Sequence, residues 1–317
     1  MKKKKKSLKT KKSHSKNFGI KSRWVNYFVL LTLILVPAFL LTANSFTKQL
    51  VMGRVFSQMM NSDSSPTPVS TKSSLLTIVP YPTATPAPTP VPLTGYCLRV
   101  PILTYHHIQP QATAVQLKQT SLNVDNGIFD QQMSYLASKG YTSIWAIDLI
   151  NALKNHTALP SNPVMVTMDD GYADNDTYAL PVLKKYNIKA NLMLATGLVG
   201  SNPDMLSWSQ VQDMKNSGLY YFTNHTWSHY AITNGPQSKI ESEIDTAASQ
   251  IKQYLGEDVN TFTYPYGAIN TNAIQTLQKK GYAGGFSTIP GQYQCDSFIM
   301  TLHRSHIGNA PLSAYGL

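Results

Sequence analysis

Strand-like and helix-like segments alternate along residues 96–317, and this alternation predicts an α/β fold, a distorted (β/α) barrel of about seven parallel strands. Two further features frame the barrel. A long uncharged segment behind a basic tail predicts a transmembrane helix ahead of it, and a Pro/Thr-rich stretch predicts a linker between the two.

The strand candidates are short apolar or β-branched runs at 100–105, 164–168, 190–195, 219–223, 261–264, 284–288 and 298–302. Helix-period segments at 129–139, 147–154, 177–186, 208–217, 239–255 and 272–280 fall between them. Three of these helices end on Lys139-Gly140, Ser217-Gly218 and Lys280-Gly281. A glycine just past the last turn takes the left-handed conformation that closes a helix.

The net charge of +11 is concentrated at one end. Residues 1–24 carry eleven Lys or Arg and no acid, leaving sixteen basic against sixteen acidic side chains in the rest. The folded part therefore has no basic surface for nucleic acid. No charged residue occurs from Trp24 to Thr47, a length of ~36 Å as a helix and enough to span a bilayer. Basic residues before a first span hold that side in the cytoplasm. The expected organisation is a basic cytoplasmic tail (1–24), a transmembrane signal-anchor (25–46), an extracellular Pro/Thr/Ser-rich linker (47–95) and a catalytic domain (96–317). The domain then sits outside the cell membrane, on a single-pass anchor. Ala43-Asn44-Ser45 is a passable cleavage site, so a cleaved signal peptide and a secreted domain are the alternative. Eight of the nineteen prolines fall between Pro66 and Pro92, which makes the linker a semi-rigid spacer. Cys97 and Cys295 are the only cysteines. In an exported domain they are candidates for a disulfide, with two free buried thiols as the alternative.

Three motifs carry chemistry. The run Val164-Met165-Val166-Thr167-Met168 ends in Asp169-Asp170-Gly171. Two acids at the end of a buried strand are costly unless a cation or proton offsets them. The structural alternative is a helix cap at Asp169 followed by a turn. The second motif, His225-Thr226-Trp227-Ser228-His229, spaces two histidines four apart, so that both lie on one face of a helical turn and can clasp one metal ion. It contains no carboxylate, so a general base must come from elsewhere, and the Asp pair is the obvious source. The third, Tyr264-Pro265-Tyr266-Gly267, is a strand running into a Pro-x-Gly turn. Such a turn can point a backbone N–H, that of Tyr266, at a developing oxyanion.

Taken in order, these three motifs resemble the first three of the polysaccharide deacetylase family (NodB homology domain, carbohydrate esterase family 4). The likeness runs over nearly all of 98–317, including Gly140-Tyr141-Thr142-Ser143-Ile144 and Leu206-Ser207-Trp208-Ser209-Gln210. Two positions depart from the family pattern. The Arg that usually pairs with the catalytic Asp is replaced by Thr263, and Arg304 is a candidate to take its place. The family's last motif, an apolar strand ending in His, is matched best by Ile102-Leu103-Thr104-Tyr105-His106-His107, at the front of the domain. That order is similar to the circularly permuted branch acting on poly-N-acetylglucosamine of biofilm matrix.

The resemblance implies Zn2+ or another divalent metal held by Asp170, His225 and His229, with Asp169 as the base. Cleaving the C–N bond needs an acid to protonate the leaving nitrogen, and His106 is the expected donor, with His306 second. The implied activity is metal-dependent hydrolysis of N-acetyl groups from an extracellular N-acetylglucosamine-containing polysaccharide. Two other readings stand beside it: an O-acetyl polysaccharide esterase, and a wall- or matrix-binding module with a degenerate site.

Overall fold

The computed structural model describes residues 93–317. The basic tail, the transmembrane segment and all but the last three residues of the linker lie outside the described residues. Among those described, no helix is long and apolar enough to cross a membrane.

Seven parallel strands carry the fold: β1 (Ile102–Tyr105), β2 (Pro163–Asp170), β3 (Ala190–Leu194), β4 (Tyr220–Asn224), β5 (Thr261–Thr263), β6 (Gly284–Phe286) and β7 (Ser305–His306). Their spatial order is β6-β5-β4-β3-β2-β1-β7, so chain neighbours from β1 to β6 are also sheet neighbours. Each pairing on that path is parallel. The two edges meet through one stretch of chain. Leu302 bridges to Phe286 of β6, and three residues later Ser305 and His306 pair with Leu103 and Thr104 of β1. The result is the distorted parallel barrel that the alternation predicts.

One strand expectation fails. Residues 298–302 do not form a strand; Asp296–Thr301 is a 3₁₀ helix, and the seventh strand is Ser305–His306. A five-residue apolar run does not by itself distinguish strand from helix. Gly284 and Gly285 favour the compact form here. A Cβ on Gly285 would lie 2.5 Å from the Met300 carbonyl, so the missing side chain lets the 3₁₀ backbone press on β6.

Besides a short helix at Gln111–Leu117, six α-helices lie among the described residues: α1 (Asn126–Ser138), α2 (Ala146–Asn155), α3 (Leu180–Tyr186), α4 (Trp208–Asn216), α5 (Gln237–Leu255) and α6 (Thr271–Lys279). The glycines after α1, α4 and α6 all adopt positive φ, at 69°, 70° and 81°, as the C-cap signals require.

Strand alternation sorts the side chains of the central strands between two of the three hydrophobic clusters among the described residues. Leu103, Tyr105, Val166, Met168, Leu192 and Leu194 join the cluster that includes the buried residues of α1, α3 and α4. Ile102, Met165, Met193, Phe286 and Leu302 form the second, together with Leu149 and Ile150 of α2. Within β2 the residues sharing Met165's parity are Thr167 and Asp169. A polar layer therefore lies on that apolar floor. Thr167 donates to the Leu103 carbonyl at 2.9 Å, and the hydroxyls of Thr223 and Thr261 meet at 3.0 Å.

A disulfide joins Cys97 to Cys295, which lie opposite each other in an antiparallel pair formed by Cys97–Arg99 and Tyr293–Cys295. Its sequence separation is 198. Closing a loop of that size removes about 5 kcal/mol of chain entropy from the unfolded state.

Candidate active site

The acids, the four histidines, Tyr266 and Arg304 singled out in the sequence all line one cavity of about 270 Å³, most of them from the carboxyl ends of the strands. His106 follows β1, Asp169 and Asp170 end β2, His225 and His229 follow β4, and Tyr266 follows β5. Arg304 and His306 come from β7 and the residue before it. Thr104, Leu122, Tyr264 and Thr288 complete the lining.

Adjacent residues of a strand normally face opposite ways, yet Asp169 and Asp170 both reach this cavity. The backbone resolves the conflict. Asp170 has φ 73°, a left-handed conformation uncommon outside glycine, and Gly171 follows at φ 93°. The alternation breaks at the last strand residue, and two carboxylates share one space.

Their environments differ. Asp169 is held by Arg304 in a two-pronged pair, with Nη1 to Oδ1 at 2.7 Å and Nη2 to Oδ2 at 2.8 Å. Arg304 is itself fixed, donating through Nε to the Ser287 carbonyl at 2.8 Å and through Nη1 to Thr167 Oγ1 at 3.2 Å. Burial alone would raise the Asp169 pKa, but the guanidinium outweighs it and holds the carboxyl below its usual range. Arg304 thus occupies the place beside Asp169 that Thr263 leaves open.

Asp170 has no such partner. Its Oδ1 is buried without a hydrogen bond, 3.4 Å from His225 Nε2 and 3.3 Å from His229 Nε2. These three groups offer ligand atoms within 4.8 Å of one another. The donor set suits a divalent ion: one carboxylate and two imidazoles, with the orphaned oxygen turned toward both rings. His225 Nδ1 lies 2.8 Å from the Thr263 carbonyl, which can only accept, so Nδ1 carries a hydrogen and Nε2 is the atom turned toward Asp170. Burial, with His225 nearby, lowers the His229 pKa and favours the neutral ring that a ligand must be.

The histidine pair is not on a helical turn, contrary to the spacing argument. Asn224 ends β4, and residues 225–231 are non-helical, with Thr226 at φ 64° and His229 at φ 57°. The loop's backbone groups bond to neighbouring segments and to one of the loop's own side chains instead. Thr196 N reaches the Thr226 carbonyl, Gly197 N the Trp227 carbonyl, and Thr226 Oγ1 accepts from Tyr230 N at 2.8 Å. The rings converge all the same, 4.8 Å apart between centroids.

Tyr266 is the turn residue of Pro265–Gly267, with φ 59°. The turn's own bonds run from Gly267 N to the Tyr264 carbonyl and from Ala268 N to the Pro265 carbonyl, and the Tyr266 N–H takes no part in them. Its exposed ring lies against His229 at 4.3 Å. Across the cavity, His106 Nδ1 is buried and unpartnered, while His306 is exposed with its ring centroid 5.6 Å away. Burial lowers the His106 pKa, the two carboxylates oppose that shift, and Arg304 and His306 add to it.

Local sequence patterns did not reveal the lining residues Thr104, Leu122 and Thr288. The same holds for the Thr263 carbonyl behind His225. Leu122 arrives on a loop, held by a bond from His107 N to its carbonyl at 3.1 Å. No periodicity or motif marks such a residue.

The sequence pattern described as polysaccharide deacetylase matches residues 156–285, a range containing both Asp residues, both ligand-type His residues and Tyr266. A poly-beta-1,6-N-acetyl-D-glucosamine N-deacetylase of Staphylococcus epidermidis is 30% identical over 207 residues, covering 58% of this chain and 71% of that protein. The structure of a Streptococcus pyogenes deacetylase, PplD, in complex with acetate aligns with TM-score 0.61 at 27% identity, covering 66% of this chain and 92% of that one. IcaB from Ammonifex degensii shares the fold, with TM-score 0.59 at 24% identity over 68% of this chain and 94% of that one.

The Arg304–Asp169 pair generates a stability prediction. Removing one partner of a buried ion pair leaves a charge uncompensated, at a cost of about 3–5 kcal/mol. Arg304→Met should lower the urea unfolding free energy by about that amount, and adding Asp169→Leu should recover most of it. An equal loss in the single and double variants would locate the instability elsewhere.

Proposed function

We propose, since the chain belongs to the polysaccharide deacetylase family, that it hydrolyses N-acetyl groups of an extracellular N-acetylglucosamine-containing polysaccharide with a divalent metal ion, zinc being the expected one. The observation that carries this reading is the division of labour between the two carboxylates. Asp170 has an orphaned oxygen facing two imidazoles, and Asp169 is kept ionised by Arg304.

Asp170, His225 and His229 would hold a divalent ion, which would supply Lewis acidity toward a water and the acetamide carbonyl. The remaining steps belong to this chain's side chains and backbone. Asp169 accepts the nucleophile's proton; its depressed pKa makes it a weak base, which suffices for an acidified water. The N–H of Tyr266 donates to the oxyanion that forms as the carbonyl is attacked. An amide nitrogen leaves only once protonated, and His106 is the donor. It is less exposed than His306, and although burial lowers its pKa, the charges of both carboxylates oppose that shift. A degenerate binding module is the weaker reading, since Asp169, Asp170, His225 and His229 are all present around the cavity.

The catalytic domain is further proposed to be held at the outer face of the cell membrane by residues 25–46. The support is in the sequence: eleven basic residues, a long uncharged run, then a proline-rich spacer.

Purified full-length chain should release acetate from β-1,6-linked N-acetylglucosamine oligomers, lose that activity to chelator, and regain it with zinc or cobalt. Activity indifferent to chelation would remove the metal from the mechanism. Faster release from acetylated xylan would favour the O-acetyl esterase reading.

His106→Ala should cut amide turnover by roughly 10²–10⁴ with metal content unchanged. An ester, with its better leaving group, should lose less. Should His306→Ala show that pattern while His106→Ala stays near wild type, the acid is His306.

In alkaline carbonate washes of membranes the intact chain should stay in the pellet. A soluble product whose N-terminus starts near Ser45 would mean a cleaved signal peptide instead.

A further inference from the structure

Glu243 lies in the middle of α5 with 1% of its surface exposed, and none of the catalytic steps uses it. A buried carboxylate needs partners, and those of Glu243 lie mostly in the loop between the two histidines. Oε2 accepts from Ser228 N at 2.8 Å, and Oε1 accepts from Ser228 Oγ at 2.7 Å. The main-chain carbonyl of the same residue accepts from Trp227 N at 3.0 Å. Lys239, one helical turn back, sets its Nζ 2.7 Å from Glu243 Oε1 and lies over the rings of Trp227 and Tyr230 at 5.7 and 5.5 Å.

The loop needs this hold because of its backbone. Thr226 and His229 are both left-handed without being glycine, a strained conformation that persists only where the surroundings over-determine it. The two histidines are also supported differently. The His225 ring is fixed directly, by the bond between Nδ1 and the Thr263 carbonyl. Among the described residues no hydrogen bond fixes the His229 ring; it touches Asp170 and the Tyr266 ring. The direction of the His229 ring therefore follows from its backbone, and the residue before it is the one Glu243 grips at two atoms.

We propose that Glu243 is a positioning residue for the metal centre, setting the affinity for a divalent ion by fixing Ser228 and thereby His229. The inference rests on the metal reading of Asp170, His225 and His229. Groups that orient ligands from behind typically change metal affinity by 10–100-fold when removed.

The test measures zinc affinity by competition with a chromophoric chelator, on metal-free full-length chain, for wild type, Glu243→Ala, Glu243→Gln and Ser228→Ala. Far-UV circular dichroism and thermal unfolding of each metal-free protein accompany it. Glu243→Ala should raise the zinc Kd 10–100-fold. Ser228→Ala, which keeps the N–H contact, and Glu243→Gln, which keeps an acceptor for it, should fall between Glu243→Ala and wild type. With cobalt in place of zinc, the visible absorption bands of Glu243→Ala should shift, because the ligand geometry changes. A lowered metal-free melting temperature with wild-type Kd and cobalt spectrum would make Glu243 a structural residue only and overturn the proposal. If Glu243→Ala does not fold, an unchanged Kd in both Glu243→Gln and Ser228→Ala overturns it equally. Wild type that binds no zinc fails one step earlier, at the metal reading itself.

Discussion

Two ionised carboxylates at the mouth of a closed β-structure would repel each other and lose hydration together. The pair between Arg304 and Asp169 is what makes the arrangement tolerable. It is buried on both sides and engages both oxygens of Asp169, so one of the two charges is neutralised inside the protein. Asp170 is left with an unpartnered oxygen facing His225 and His229. Environments that push two like groups apart in character assign them different roles in the same reaction. The pair also ties the chain just before β7 to the end of β2, 135 residues earlier, so the electrostatics and the barrel's closure depend on the same contact.

Much of the barrel was legible because its rules are local. Six of the seven predicted strand runs overlap barrel strands, and the helix ends followed their glycines. The failure at 298–302 was also local in origin: a short apolar stretch carries no period long enough to read, and the deciding fact is two glycines on a neighbouring strand. The disulfide was open in the sequence, since nothing in the spacing of two cysteines says whether their strands pair.

The candidate site was legible in its residue types more than in its geometry. The motifs named the groups around the cavity, and Arg304, picked out as a candidate partner for Asp169, is paired with it. The conformations were not readable. The His-x-x-x-His spacing suggests a helical turn, but the loop between β4 and α5 satisfies its backbone through neighbouring segments. Left-handed residues at Asp170, Thr226, His229 and Tyr266 put the side chains and one N–H in place. Backbone strain of this kind is held by tertiary contacts, which a single sequence does not display.

In a ring, first and last are neighbours. β1 lies between β2 and β7, and Leu302, three residues before β7, bridges to Phe286 of β6 at the opposite edge. The chain ends of the described domain meet nearby: Arg99 donates to the Gly316 carbonyl at 2.8 Å, and the Tyr135 hydroxyl to the Leu317 carbonyl at 3.0 Å. Where a polypeptide enters such a ring is a matter of book-binding rather than of text. The pages can be opened between any two leaves and still face each other in the same order. His106 comes first along the chain and stands beside the residues that come last, so its place in the gene carries no information about its place in the chemistry. The cavity belongs to the ring, and residues from the front and the back of the described chain line it together.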